Sequence, residues 1–212
     1  MFNQIESLGK SSLTIRDKLR TQHAKRWHTV AMFIDQSVAG HSHSGGIIAE
    51  ELLVLLFKTA KLDLSIEDRY VALKYFQAHD FPELITGDQP SPYKRFLEEH
   101  IDGYKEIVEE IECKLVPEFK VFKEIFKEKP YLKYVCKLAD IIEGVSFSAI
   151  SKGLDEQHNA VILAKSNKAI TNTIALAQEN SPSFDWSLTL NLMDEILHGD
   201  SIVIDFEKVL SK

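Results

Sequence analysis

The sequence predicts an all-α fold arranged as a single domain. Three observations carry this. Apolar residues recur three or four positions apart through most of the chain, the period of one helix face. Hardly any segment alternates apolar and polar residues between turn signals, as a half-buried strand does. Pro117, Pro130 and Pro182 fall at the ends of periodic segments, where a proline stops a helix. The 212 residues suffice for one large domain or two small ones. No repeat, low-complexity tract or linker divides them.

The elements follow in order. Residues 1–27 place Ile5, Leu8, Leu13, Ile15 and Leu19 among many charges, which predicts one or two short amphipathic helices. Gly9-Lys10-Ser11 resembles the tail of a phosphate loop. The loop's first glycine would have to stand at Gln4, and no apolar strand precedes it, so that reading fails. Arg26 stands beside Trp27. Such an Arg is either a surface residue stacked on a half-buried ring or an anion-binding guanidinium next to a pocket wall. Residues 40–46, with His41 and His43, read as a loop or a first helical turn, capped by Ser42 or Ser44. An apolar helix then covers 47–57. Two histidines two apart do not share a helix face, so at most one points into a given site.

Residues 58–67 form a polar connection, with Ser65 as cap and Asp68 three positions on. The helix over 67–79 delivers His79-Asp80. A long charged helix is predicted over 96–116, with Glu109, Glu110 and Glu112 on a solvated face. A short helix runs from Phe119 to Phe126, and a strongly apolar one covers 131–147. Helical patterning resumes at 155–178, a turn falls at 180–183, and a last helix covers 186–197.

Composition excludes several classes. With 44% apolar and 27% charged residues the chain is too apolar for disorder. A net charge of −7 argues against binding long nucleic acids, whose phosphates demand a basic surface. It leaves room for a small anionic substrate held by local cations and a metal. Cys113 and Cys136 are 23 residues apart with no close companion, which fits neither a zinc finger nor a disulfide framework. Both read as buried small hydrophobes. No apolar run reaches membrane-spanning length. The start, Met1-Phe2-Asn3-Gln4-Ile5-Glu6, lacks the basic-then-apolar pattern of a secretory signal. The expectation is a cytoplasmic protein without a membrane partner.

The chemistry concentrates between His79 and Pro92. An adjacent imidazole and carboxylate, His79-Asp80, is followed by Glu83, which a helical chain would place on nearly the same face. Thr86-Gly87-Asp88 then turns into a loop punctuated by Pro90 and Pro92. Lys94 and Arg95 stand just beyond. Farther on, Asp140 interrupts Leu138, Ala139, Ile141 and Ile142. An unpartnered carboxylate there would be costly. A metal ion would offset that cost, as would a salt bridge to Lys137.

Taken together, these residues resemble the HD-domain metal-dependent phosphohydrolases, and among them the bacterial 5′-deoxynucleotidases. The likeness rests on Arg26-Trp27, a histidine followed by serine, the run HDxxELITGDxPSPxK from His79 to Lys94, and Lys137-Leu138-Ala139-Asp140. It covers about residues 20–150. The middle run is specific where a bare His-Asp pair is not.

The resemblance implies an HD-type helical bundle with the motif-bearing core at about 20–150 and C-terminal helices in 151–212. It implies a metal held by His41, His79, Asp80 and Asp140, the distance from Arg26 favouring His41 over His43. Family members commonly carry Glu before that histidine, where this chain has Gly40. Glu83 would position or deprotonate the attacking water, and Asp88 would sit beside the sugar and the water. Arg26 and Lys94 would hold phosphate oxygens, Thr86 would line the substrate site, and Trp27 would pack under a deoxyribose, where a 2′-OH would clash.

Two imidazoles and two carboxylates suit Zn, Co or Mn, with Fe or Ni as further options, better than Ca. The implied reaction is metal-dependent hydrolysis of a deoxynucleoside monophosphate to deoxynucleoside and phosphate. The alternative is a deoxynucleoside triphosphohydrolase, acting for example on dATP and releasing tripolyphosphate, with Lys25, His28 and Arg95 as outer cations. A catalytically inactive nucleotide-binding module is the third reading, and intact His79, Asp80, Glu83 and Asp140 argue against it. The expected assembly is a homodimer or higher homo-oligomer, with residues 150–212 supplying a dimer surface or a pocket wall.

Overall fold

The computed structural model describes residues 11–27, 30, 32–151 and 156–199. Expectations about Ile5, Leu8 and His28 lie outside the described residues. The architecture is all-α, with one two-residue antiparallel bridge, β1 (Lys25–Arg26) against β2 (Gln36–Ser37). Among the described residues, no helix is long and apolar enough to cross a membrane.

Helix α1 (Ile15–Leu19) opens with a reciprocal capping box between Thr14 and Asp17. Leu13 is buried, but Ile15 and Leu19 are exposed, so the amphipathic face expected there does not face the core. A single turn (Arg20–Gln22) leads to β1, and β2 runs directly into α2 (Val38–Ala60). Of the two readings for residues 40–46, the helical one holds, and the helix starts earlier still, at Val38 and not at a cap on Ser42 or Ser44. Ser37 is the cap, its side chain accepting from the Gly40 N–H, and residues 40–46 are helical. Packing overrides the low helix propensity of this glycine-rich run. At Gly45 an added Cβ would stand 2.4 Å from the Phe76 ring, so only glycine lets the two helices approach this closely.

Helix α3 (Ile66–Ala78) begins at Ser65, which accepts from the Asp68 N–H as expected. Buried Asp68 also takes Lys129 at 2.6 Å, tying the start of α3 to the head of α8. Helix α4 (Glu83–Thr86) is one turn, closed by Gly87 at φ +72°. The long helix expected over 96–116 is two helices, α5 (Ser91–His100) and α6 (Tyr104–Leu115). Asp102-Gly103 breaks it, because Gly103 takes φ +76°, a region open to glycine and costly for other residues. Helices α7 (Glu118–Glu128) and α8 (Pro130–Ser151) follow, each begun by a proline that ends the element before it. Helices α9 (Glu156–Asn180) and α10 (Leu188–His198) complete the fold.

The core lies where α2, α3 and α8 meet. Leu52, Leu53 and Leu56 of α2 pack with Val71 and Phe76 of α3 and Leu132, Leu138 and Ile142 of α8. Helix α9 lies along α8, and α10 touches both α2 and α8. Fully buried Trp186 donates its indole N–H to the Ser181 carbonyl, so its polar atom is satisfied. Helices α5 and α6 contribute no buried residue; α6 packs on α7, and its half-buried Leu115 lies against the core.

The Gly45 contact gives a direct test. Gly45→Ala should destabilise the protein by about 1–3 kcal/mol through overpacking against Phe76. Thermal unfolding followed by circular dichroism would read this as a Tm several degrees lower; an unchanged Tm would contradict the close approach.

Candidate active site

Three helices each deliver a polar group to one point in the core. His41 lies in the first turns of α2 and is completely buried. His79 closes α3, and its Nδ1 faces the Phe76 carbonyl at 3.1 Å. With a proton on Nδ1 for that bond, its Nε2 lone pair is turned to the cluster. Asp140 comes from the middle of α8. The His41 Nε2 is 3.2 Å from His79 Nε2 and 3.3 Å from Asp140 Oδ1. One ligand atom from each of His41, His79 and Asp140 lies within 4.8 Å of the others. Asp80 borders this set, with Oδ1 3.2 Å from His79 Nε2 and Oδ2 3.5 Å from His41 Nε2. His43, two residues along the helix, is exposed and takes no part.

The electrostatics show what these donors lack. Burial alone would lower the proton affinity of His41, yet its bonds to Asp140 and Glu143 push it up to about 9. His79 moves the other way, because burial outweighs its carboxylate neighbours. Burial would raise Asp140, but the His41 bond and then Lys137 hold it well below the usual carboxylate range. The cluster therefore draws a positive charge to its centre. A proton on His41 fills part of that demand, and a divalent ion with a mixed nitrogen and oxygen shell fits all of it. The expected salt bridge of Asp140 is present, Oδ2 taking Lys137 at 3.2 Å, while Oδ1 faces the cluster.

The remaining expected residues surround this point. Arg26 donates Nη1 to Asp80 Oδ2 at 2.9 Å, while its buried Nε has no partner. Glu83 begins α4 and keeps a buried Oε2 without a hydrogen-bond partner. Burial, then repulsion from Asp80 and Asp88, pushes Glu83 up to about 8. Asp88 accepts the main-chain N–H of Trp27 at 3.0 Å. Thr86 and Lys94 line a neighbouring cavity with Gln89 and Tyr104. Of the outer cations, Lys25 pairs with Asp35 and Arg95 is exposed.

Two residues escaped the sequence reading. Gln36 of β2 accepts the Trp27 indole N–H at 2.8 Å and donates to Glu143 Oε1 at 2.6 Å. Glu143 Oε2 meets His41 Nδ1 at 2.6 Å. A buried chain of three hydrogen bonds thus joins the Trp27 ring to His41. It fixes a proton on His41 Nδ1 and presents Nε2 to the cluster, the arrangement by which an outer carboxylate orients a ligating imidazole. Glu143 had a legible signal, since it lies three residues after Asp140 and shares its helix face.

Known proteins share this fold and its sequence. The fold matches an HD phosphohydrolase of cyanophage S-2L, solved with dA and one catalytic Zn2+ ion, at a TM-score of 0.62 and 20% identity, over 95% of this chain and 99% of that one. This defines an HD-type phosphohydrolase fold. Residues 17–184 match the family model for YfbR-like 5′-deoxynucleotidases, and the chain belongs to that family. A dATP triphosphohydrolase of Acinetobacter phage SH-Ab 15497 is 32% identical, covering 87% of this chain and 91% of its own length. A 5′-deoxynucleotidase of Cronobacter sakazakii is 29% identical, covering 88% and 93%.

Replacing Glu143 tests the orienting bond. Glu143→Gln should weaken Zn2+ or Co2+ binding roughly 10- to 100-fold, read by competition with a chromophoric chelator. Undiminished affinity would leave Glu143 with a packing role only.

Proposed function

We propose that this enzyme hydrolyses the 5′-phosphate ester of deoxynucleotides with a divalent transition metal held by His41, His79, Asp80 and Asp140. The observation that carries this is the convergence of two imidazoles and two carboxylates beside a free carboxylate oxygen and a partly unpartnered guanidinium. When bound, the metal supplies Lewis acidity to a phosphoryl oxygen and lowers the pKa of water. Zn, Co and Mn suit the donor set best.

The chain's own residues supply the rest. Glu83 Oε2, buried and unpartnered, accepts the proton of the attacking water. A proton affinity near 8 lies close to what a general base needs at neutral pH, and kcat/KM rises with pH as Glu83 ionises. Arg26 and Lys94 balance charge on the non-bridging oxygens. Water adds to the α-phosphorus, the bond to O5′ breaks, and one proton ends on O5′. Asp88 orients Trp27 and stands beside the sugar.

Trp27 supplies the choice of sugar. Its indole is bonded to Gln36, its ring stacks on Phe147 at 6.2 Å between centroids, and Gly144 lies against its far edge. A ring held from three sides cannot swing aside for a ribose 2′-OH. The phage relative's name favours triphosphates and the bacterial relative's name favours monophosphates; both reactions break the same bond to O5′.

Phosphate release from a panel of dNMPs, NMPs and dNTPs with Co2+ or Mn2+ tests the reading, with products separated by chromatography. Turnover of deoxynucleotides is expected, and none at all with metal bound would overturn it. Glu83→Gln should retain metal and lose about 100-fold or more in kcat; loss of metal instead would make Glu83 a ligand. Trp27→Ala should narrow the ratio of deoxy- to ribonucleotide kcat/KM by about tenfold, and an unchanged ratio would remove Trp27 from sugar selection.

A further inference from the structure

The backbone of Trp27 has φ +60°, the left-handed region in which a bulky L side chain is strained. Among the described residues, Lys61 is the other non-glycine with positive φ, and it is the cap that ends α2. A left-handed residue is common at a helix end. Trp27 instead follows β1 inside the candidate site, where such a conformation persists only if its surroundings over-determine it. Two hydrogen bonds do so. The main-chain N–H donates to Asp88 at 3.0 Å, and the indole N–H donates to Gln36 Oε1 at 2.8 Å.

The other end of the Gln36 amide is committed as well. Its Nε2 donates to Glu143 Oε1 at 2.6 Å, and Glu143 Oε2 meets His41 Nδ1 at 2.6 Å. This chain has one possible polarity. An indole only donates and a carboxylate only accepts, so the group between them must accept at one end and donate at the other. An amide does this. A glutamate at 36 would set two carboxylates against each other, and a hydrocarbon would leave the indole N–H and Glu143 Oε1 unpaired. The main chain of Gln36 also pairs with Arg26, so one residue backs both the guanidinium and the ring. A cavity of about 330 Å3, lined by Gln36, Glu143 and Phe147, lies against the chain. With open space on that side, the hydrogen bonds and not close packing set where the Gln36 amide stands.

We infer that Gln36 is a positioning residue that couples the metal site to the ring that meets the sugar. A divalent ion on His41 stiffens the chain and holds Trp27 in its left-handed conformation; a deoxynucleotide against Trp27 in turn tightens the ion. The inference rests on the reading of His41 as a metal ligand and of Trp27 as the sugar-facing ring. The two ends of the chain differ in freedom, since His41 is fully buried and Trp27 only half-buried. An ion fixes the plane of a ligating imidazole and, through the bond on its other nitrogen, the carboxylate behind it. Glu143 then fixes the Gln36 amide, and the amide fixes the indole. Such a coupling is reciprocal, so ion and sugar favour each other by the same factor. Discrimination against a 2′-OH thereby becomes a property of the metal-loaded protein, because without the ion the strained ring is freer to relax.

The chain has two tryptophans, Trp27 and Trp186, so the intact protein labelled with 5-fluorotryptophan gives two fluorine resonances, assigned with Trp27→Phe. Titration with diamagnetic Zn2+ should shift and narrow the Trp27 resonance and leave that of Trp186 in place. In Gln36→Leu the ion should no longer move the Trp27 resonance, and Zn2+ affinity should fall roughly 5- to 10-fold. The ratio of deoxy- to ribonucleotide kcat/KM should narrow in the same variant. If Gln36→Leu does not fold, Gln36→Asn takes its place, being polar but one methylene too short to meet both partners. The coupling is refuted if Zn2+ leaves the wild-type Trp27 resonance unmoved, or if the variant keeps both its Zn2+ affinity and its Trp27 response. A lower Tm with that response intact would make Gln36 a packing residue. A protein that shows the linked response yet hydrolyses no deoxynucleotide would overturn the hydrolase reading and leave the coupling standing.

Discussion

The bond between Glu143 and His41 is the interaction on which this molecule depends. It joins α2 to α8 through 2.6 Å of fully buried polar contact. A buried carboxylate and a buried imidazole are each costly alone and become tolerable only together. Their pairing fixes how α2 and α8 sit against one another. It also fixes which nitrogen of His41 looks toward His79 and Asp140. Structure and chemistry share this one contact, so a shift in the helix packing would be a shift in the ligand geometry.

The surrounding apolar core makes the arrangement rigid. Phe76 presses on Gly45 and also meets the rings of His41 and His79 edge-on. Tyr75 stacks on His79 at 5.3 Å between centroids. Neighbouring residues of α3 thus clamp the imidazoles while the carboxylates come from α8 and from the end of α3. These contacts leave the imidazoles little freedom to turn, the condition that electrostatic preorganisation requires.

Much of this was legible in the sequence, for identifiable reasons. Helical periodicity and proline placement located α3, α7, α8, α9 and α10 closely, because those elements bury a regular apolar stripe. Two boundaries were misread. At residues 40–46 the sequence left a loop and a helical turn open, and the Ser37 cap together with the approach of Phe76, more than 30 residues away in sequence, selects the helix. At Asp102-Gly103 the apolar period runs on through Ile101 and Tyr104, and the turn dipeptide carried the better signal. The motif run brought His79, Asp80, Glu83 and Asp88 to attention, and the structure gathers them around His41 and Asp140. Gln36 left no trace, since its role exists only through the pairing of β2 with β1 and a partner 107 residues distant.

Helices α5 and α6 bury no residue, and a left-handed glycine joins them. Most of the buried apolar contact belongs to the α2–α3–α8 body, whereas the hairpin meets the core through half-buried Leu115 and so has less burial to hold it. Lys94, which borders a cavity with Thr86, rides on this lightly held part, whereas His41, His79 and Asp140 stand where α2, α3 and α8 pack together.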